Sequence, residues 1–214
     1  VVIAIDGPSG VGKSTVSRAV AMALGVAYLD TGSYYRAVTH VALRAGVDPS
    51  DEAGILSAVR SADFSVIDGV LSLDGADISA DIRGPLVTSA VSAVAAHPGV
   101  RREVVEMQRQ WADSQGGAAV IEGRDIGTVV FPDAAIKVFL TADTRTRAER
   151  RAGDPEAAGS SIEELAADME RRDAADSSRQ TSPLRPATDA VILDTSELTV
   201  AQVVAEILDL VGAL

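Results

Sequence analysis

The sequence predicts an α/β protein: a doubly wound, five-stranded parallel sheet with a small antiparallel β insert and a short helical lid. Three observations predict it. Five short apolar runs (VVIAID, AYLD, AAVIE, AAIKVFL and AVILD) alternate along the chain with segments of helical spacing, the pattern of buried parallel strands joined by crossover helices. A glycine-rich loop follows the first run and opens the first helix. Two Asp-Gly pairs, at 68–69 and 74–75, interrupt the alternation between short β-like segments.

Residues 1–6 form the first strand, rich in β-branched side chains and closed by Gly7. Val16, Val20 and Leu24 then recur at helical spacing, and Gly25 stops that helix. AYLD (27–30) is the second strand, and 33–45 a helix ending at Gly46. "DPSD" (48–51) starts another helix, with Asp48 as the expected N-cap and Pro49 in the first turn. Over 63–79 an Asp-Gly pair suits a two-residue type I′ turn, because both central residues need positive φ. This region is predicted as a three-stranded antiparallel meander. Gly84-Pro85 opens a helix that His97-Pro98-Gly99 breaks, and the next helix carries Trp111 as a core residue. Strands at 118–122 and 134–140 follow, both read as buried, then a basic helix from Arg145. Ser161 with Glu164 makes a capping box. AVILD (190–194) is the last buried strand, and Thr199 with Gln202 caps the closing helix.

Composition narrows the function classes. The 214 residues carry a net charge of −12, which argues against extended contacts with nucleic acid or anionic membrane. There is no apolar run near 18 residues and no charged-then-hydrophobic leader, so the chain is expected to be cytoplasmic. Cysteine is absent, and only His40 and His97 are present, so thiolate and histidine metal sites are excluded. Of 19 basic residues only two are lysines, Lys13 and Lys137.

Lys13 lies in "GPSGVGKS", Gly7 to Ser14, which matches G-x-x-x-x-G-K-[ST] between a strand and a helix. Backbone N–H groups of such a loop turn inward around phosphate oxygens, and the helix N-terminus adds its dipole. Lys13 would neutralise the β- and γ-phosphates of ATP, and the Ser14 hydroxyl would ligate Mg²⁺. The loop, Gly7, Pro8, Ser9, Gly10, Val11, Gly12, Lys13, Ser14 and Thr15, is the expected donor site. A guanine-reading N-K-x-D is missing, which argues against a GTP switch. A small-molecule kinase needs an acceptor pocket, cations around the phosphoryl group and a mobile cover. Arg36 follows the second strand, Arg124 follows the third in "IEGRDIGTVVF", and 150–179 offers several arginines around a Gly/Ser-rich loop. Planar guanidinium groups suit phosphate oxygens.

Together "IDGPSGVGKST", "YLDTGSYYR", "ADIRGPLVTSAVSAVAAHPGVR", "EGRDIGTVVFPDA" and "SPLRPATDAVILDTS" resemble, in order and over nearly the whole chain, the blocks of bacterial cytidylate kinases. The resemblance implies a nucleoside-monophosphate kinase fold of the P-loop type. Its core would span about 1–29, 118–149 and 186–214, its acceptor-binding lobe about 30–117 with the insert at 63–79, and its lid about 150–180. It implies Ser92, Arg101 and Asp125 as cytosine readers, a carboxylate accepting from the 4-amino group while Arg and Ser donate to O2 and N3. It further implies Asp176 at the ribose hydroxyls, Thr31 beside the acceptor nucleotide, and Arg36, Arg124, Arg172 and Arg179 at phosphates. Lys13, Arg124, Arg172 and Arg179 are the expected catalytic cations. Ser14 and Glu122 are the expected Mg²⁺ side, though relatives often carry Asp at position 122. Ala174, Ala175 and Ser177 stand where charged residues are common, which leaves the lid poor in arginine. The substrates would be CMP and dCMP with ATP, and the protein is expected to be a monomer that closes on its ligands. A kinase for another small acceptor, such as shikimate or UMP, and a nucleotide-binding regulatory module are the alternatives.

Overall fold

The computed structural model describes residues 1–67, 70–154, 157 and 159–213. The chain divides into two compact units, one of residues 1–29 with 115–214 and one of residues 30–114.

The first unit is built on a five-stranded sheet of order β2-β6-β1-β7-β8. Its strands are β1 (Val2–Asp6), β2 (Ala27–Asp30), β6 (Ala119–Gly123), β7 (Ile136–Thr141) and β8 (Val191–Asp194). β1 runs parallel to both β6 and β7, and β7 parallel to β8. The central strand has no polar face: Ile3, Ala4 and Ile5 are all buried, as a sheet covered by helices on both sides requires. α1 (Lys13–Leu24) and α8 (Val200–Gly212) pack on it through Val16, Val20, Val203 and Ile207. Truncating a side chain such as Ile5 to Ala would cost about 2–5 kcal/mol. α6 (Thr144–Ala152) and α7 (Ile162–Ser177) pack against each other around Ala148, Leu165 and Met169. Both expected capping boxes form, Ser161 with Glu164 and Thr199 with Gln202. β8 departs from expectation. It is an edge strand, with Val191 44% and Ile192 61% exposed, so an apolar run does not here mean a buried one.

In the second unit α2 (Thr31–Arg44) is the hub, packed against α3 (Glu52–Arg60), α4 (Pro85–Val94) and α5 (Pro98–Ser114). Asp48 does not cap α3. Its carboxylate closes a turn on the Ser50 N–H and hydroxyl, and Asp51 caps the helix through Gly54 N. Residues 95–97 separate α4 from α5, and Pro98 and Gly99, expected in the break, are instead the first two residues of α5. Trp111 is half-buried rather than a core residue. The insert is a three-stranded antiparallel sheet, β3 (Phe64–Ile67), β4 (Val70–Leu73) and β5 (Ala76–Asp77). Asp74 and Gly75 take φ of 51° and 79° between paired Leu73 and Ala76, the positive φ values a type I′ turn demands. The Asp-Gly pair at 68–69 lies outside the described residues. Among the described residues no helix is long and apolar enough to cross a membrane.

Candidate active site

The phosphate loop connects β1 to α1. Gly12, with φ 91°, occupies the N-cap position, and no side chain caps the helix. The first N–H groups of α1 therefore keep no side-chain partner at that end, and the dipole favours an anion there. Lys13 is buried and its Nζ donates to the carbonyls of Gly7 at 2.8 Å and Pro8 at 2.7 Å. Burial first, then the nearby Arg124 guanidinium, lower its pKa to about 7. Both act against the charged form, and an incoming polyanion would reverse that balance. Ser14 and Thr15 are exposed on the first turn. Gly10 is held at φ +72°, where an added Cβ would lie 2.7 Å from Met169 Sδ and 2.9 Å from the Arg147 carbonyl oxygen. The loop is thus packed directly under α6 and α7.

Arg147 and Asp173 make that packing specific. Asp173 on α7 accepts from Ser9 N at 2.9 Å and is ion-paired to Arg147. Arg147 also donates to the Ser9 carbonyl at 3.0 Å. Arg150 donates to the Val11 carbonyl at 3.3 Å and to Thr195 Oγ1 at 2.9 Å, while Arg151 pairs with Asp154. Ala174, Ala175 and Ser177 are exposed. The arginine-poor positions of α7 thus lie outside these contacts, and the guanidinium groups of Arg147 and Arg150 reach the loop from α6.

The hinge begins where β6 ends. Gly123 is in register with Asp6, so Arg124 and Asp125 emerge beside the start of the phosphate loop. Arg124 donates from Nε to Asp176 at 2.9 Å and from a terminal nitrogen to the Gly7 carbonyl at 3.0 Å. Lys13 and Arg124 therefore share one carbonyl oxygen. Asp176 is buried and also pairs with Arg179. Arg172 is half-buried on the same helix. Asp125 is buried, and its carbonyl accepts from Val129 N and Val130 N of a π-helical turn, Ile126–Val130. Such single turns alter the direction of the chain locally. Ile126 N and Gly127 N donate to the two oxygens of Asp6, at 2.9 and 2.8 Å. Burial pushes the Asp6 pKa up to about 6 despite those two bonds. Gly127 is pressed on Lys137, whose Cδ would lie 3.1 Å from an added Cβ. Lys137 is itself held by Asp189 at 2.7 Å and the Pro132 carbonyl.

Glu122, the residue before Gly123, is buried and accepts a hydrogen bond from the Tyr28 hydroxyl. The Arg18 guanidinium lies 5.0 Å from the Tyr28 ring centroid. The Ser14 hydroxyl and the Glu122 carboxylate are hard oxygen donors, which suits Mg²⁺. That ion takes one or two protein oxygens and completes its shell with phosphates and water. Among the described residues there is no cluster of three or more His, Cys, Asp or Glu that could hold a metal.

The second unit holds the remaining predicted residues. Thr31 is buried at the first position of α2, which Asp30 caps through Gly32 N at 2.9 Å. Arg36 donates to the Ile82 carbonyl at 3.2 Å and Thr88 Oγ1 at 2.9 Å, so its guanidinium is oriented before any ligand arrives. Ser92 is half-buried on α4. Arg101 is buried, donates to the carbonyl of Ala95 at 3.1 Å, and lies 5.0 Å from the Tyr35 ring centroid. That carbonyl lies one turn beyond Ser92. Gly99 N donates to Glu52, and His97 Nε2 is 2.8 Å from the Pro49 carbonyl, which pin the start of α5.

The structure therefore joins Lys13, Arg124, Asp176 and Arg179 in one network within the first unit. It orients Arg36 and Arg101 by backbone carbonyls within the second. Sequence reasoning missed Asp6, Tyr28 and Asp173, and assigned Arg147 no partner. The one available signal was Asp6 itself, a carboxylate ending an otherwise apolar strand.

Comparison with known proteins agrees with this architecture. The family model described as "Cytidylate kinase" matches residues 3–213. A cytidylate kinase of Mycolicibacterium paratuberculosis is 52% identical over 217 residues, covering 99% of this chain and 95% of that protein. One from Corynebacterium glutamicum is 48% identical, covering 99% and 94%. Among solved structures, TT1252 from Thermus thermophilus superposes with a TM-score of 0.51 at 19% identity, covering 100% of this chain and 96% of that one. An uncharacterized protein from Eubacterium ventriosum does so with 0.58 at 14%, covering 100% and 99%. The structural likenesses speak for the fold alone. With the family model spanning nearly every residue and relatives near half identical along about 95% of their length, the chain belongs to the cytidylate kinase family.

Proposed function

We propose that the protein transfers the γ-phosphoryl group of ATP to CMP and dCMP, giving CDP or dCDP and ADP, with Mg²⁺. The observation that carries this is the pairing of Lys13 and Arg124 on the single Gly7 carbonyl. Two cations meet on one neutral oxygen, and the Arg124 guanidinium acts against the charged form of Lys13, a repulsion that additional negative charge between them would relieve. A polyphosphate supplies that charge, and the uncapped N-terminus of α1 adds to the attraction. Mg²⁺, when bound, would neutralise the β- and γ-phosphates, with Ser14 and Glu122 as its protein side.

The chain's own groups do the positioning. Backbone amides of the Gly7–Thr15 loop, apart from Pro8, which has none, and Ser9, whose N–H donates to Asp173, hold the donor together with Lys13. Arg36 and Arg124 hold the acceptor phosphate in line, and Arg172 and Arg179 bring positive charge to the oxygens of the transferring group. A phosphoryl transfer that is largely dissociative needs this positioning and charge stabilisation more than covalent help. The attacking group is an already ionised phosphate, so no general base is required. Ser92, Arg101 and Asp125 read the cytosine, the carboxylate accepting from its 4-amino group. Uracil offers a carbonyl there, and Asp125 would be left without a donor. Thr31 contacts the acceptor nucleotide and Asp176 accepts from its sugar hydroxyl. Residues 150–180 act as the lid. A cytoplasmic, monomeric protein belongs to the same proposal, testable by light scattering.

The test is ADP release with CMP, dCMP, UMP, AMP, GMP and shikimate as acceptors. The proposal expects CMP and dCMP to be preferred. Preference for another acceptor, or tight ATP binding without turnover of any, would overturn it.

A further inference from the structure

We propose that Asp6 is a positioning residue for the acceptor, its carboxylate setting the direction in which the Arg124–Asp125 hinge leaves the sheet. The inference rests on the acceptor role proposed above for Arg124 and Asp125.

Asp6 ends β1 and is 4% exposed. Its two oxygens accept separately, Oδ1 from Ile126 N at 2.9 Å and Oδ2 from Gly127 N at 2.8 Å. These are the first two amides after Asp125, at the start of the π-helical turn. A carboxylate spanning two consecutive amides fixes the orientation of that peptide unit as well as its distance, since each bond constrains a different N–H vector. The hinge is also packed against the Lys137 stem, whose Cδ would lie 3.1 Å from a Cβ added at Gly127.

The neighbouring residue completes the link. Gly7 follows Asp6, and its carbonyl accepts from both Lys13 and Arg124. The Asp6-Gly7 dipeptide thus holds the hinge by a side chain and the two cations by a carbonyl. Donor loop and acceptor hinge are referred to the same two residues. Burial raises the Asp6 pKa to about 6, so above that pH both oxygens serve as anionic acceptors. A buried carboxylate kept at the cost of desolvation fits a role in geometry better than one in stability.

Two variants test this. Asp6→Asn keeps one acceptor and turns an NH₂ toward the other amide. Asp6→Ala removes both. Each is assayed for KM and kcat with CMP and with UMP, for KM of ATP, and by hydrogen exchange at residues 126 and 127. The expected result is a KM for CMP raised about tenfold or more and a KM for ATP within twofold of the parent. CMP-over-UMP preference should shrink, and exchange at Ile126 and Gly127 should speed up. A purely structural carboxylate would lower the melting temperature without separating the two KM values. A folded Asp6→Asn protein with unchanged CMP kinetics and UMP discrimination overturns the proposal. If neither variant folds, the parent protein decides. Protection of both hinge amides equal to that of β6 supports the clamp, and exchange at the rate of an open loop refutes it. Failure of the parent to phosphorylate CMP at all would instead sink the functional proposal.

Discussion

Lys13 permits a prediction that reports on the free and the occupied site together. In the free protein, burial and Arg124 bring its pKa from 10.5 to about 7. By simple titration about that midpoint, roughly nine tenths of the side chains are neutral at pH 8, roughly half at pH 7 and roughly one tenth at pH 6. A polyphosphate beside the Nζ favours the ammonium form and moves the pKa back up. Binding of Mg²⁺-ATP should therefore take up about 0.9 proton at pH 8, about 0.5 at pH 7 and about 0.1 at pH 6. Rising pH removes the proton that the bound form must carry. ATP affinity should then fall above pH 7, approaching about tenfold per pH unit. Titration calorimetry in two buffers of different ionisation enthalpy counts the protons at each pH. Lys13→Arg is the control, because a guanidinium stays charged and should abolish the uptake. Uptake that does not change with pH, or that persists in Lys13→Arg, would refute the reasoning.

Other consequences are more local. Arg36→Met removes charged hydrogen bonds to the acceptor phosphate worth about 1.5–3 kcal/mol. The KM for CMP should rise about ten- to a hundredfold with little change for ATP, and an unaltered KM would remove Arg36 from the site. Asp125→Ala should weaken the preference for CMP over UMP more than it weakens phosphate binding, as acceptor competition would show. Gly10→Ala places a Cβ at positive φ against the Arg147 carbonyl and Met169. The left-handed conformation and the overlap together should cost about 2–5 kcal/mol, read by denaturant unfolding, and a loss under 1 kcal/mol would mean that α6 and α7 do not press on the loop.

What the sequence made legible is local or periodic. The strand–loop–helix of "GPSGVGKS", the 74–75 turn and both capping boxes depend on residues within a few positions of each other, so their signals survive in one dimension. The choice between Asp48 and Asp51 as cap failed for a related reason. Both carboxylates have a partner two or three residues on, and only the chain's path decides which N–H opens the helix. The hinge was visible as a glycine-flanked Arg-Asp pair, but its attachment was not. Asp6 lies 120 positions from Ile126 and Ser9 lies 164 from Asp173. Such pairs are made by packing alone, and no spacing announces them. The exposure of β8 was hidden likewise, because an apolar run does not say whether it sits at the centre or the edge of a sheet.

The most direct test is mixing the purified protein with Mg²⁺, ATP and each nucleoside monophosphate in turn, with the products identified by chromatography. The structure's pairing of Lys13 with Arg124 and the cytosine-reading role proposed for Asp125 predict CDP and dCDP together with equimolar ADP, and far less UDP from UMP. ATP consumed at the same rate whichever acceptor is present, or CMP recovered unchanged from the complete mixture, would contradict the account.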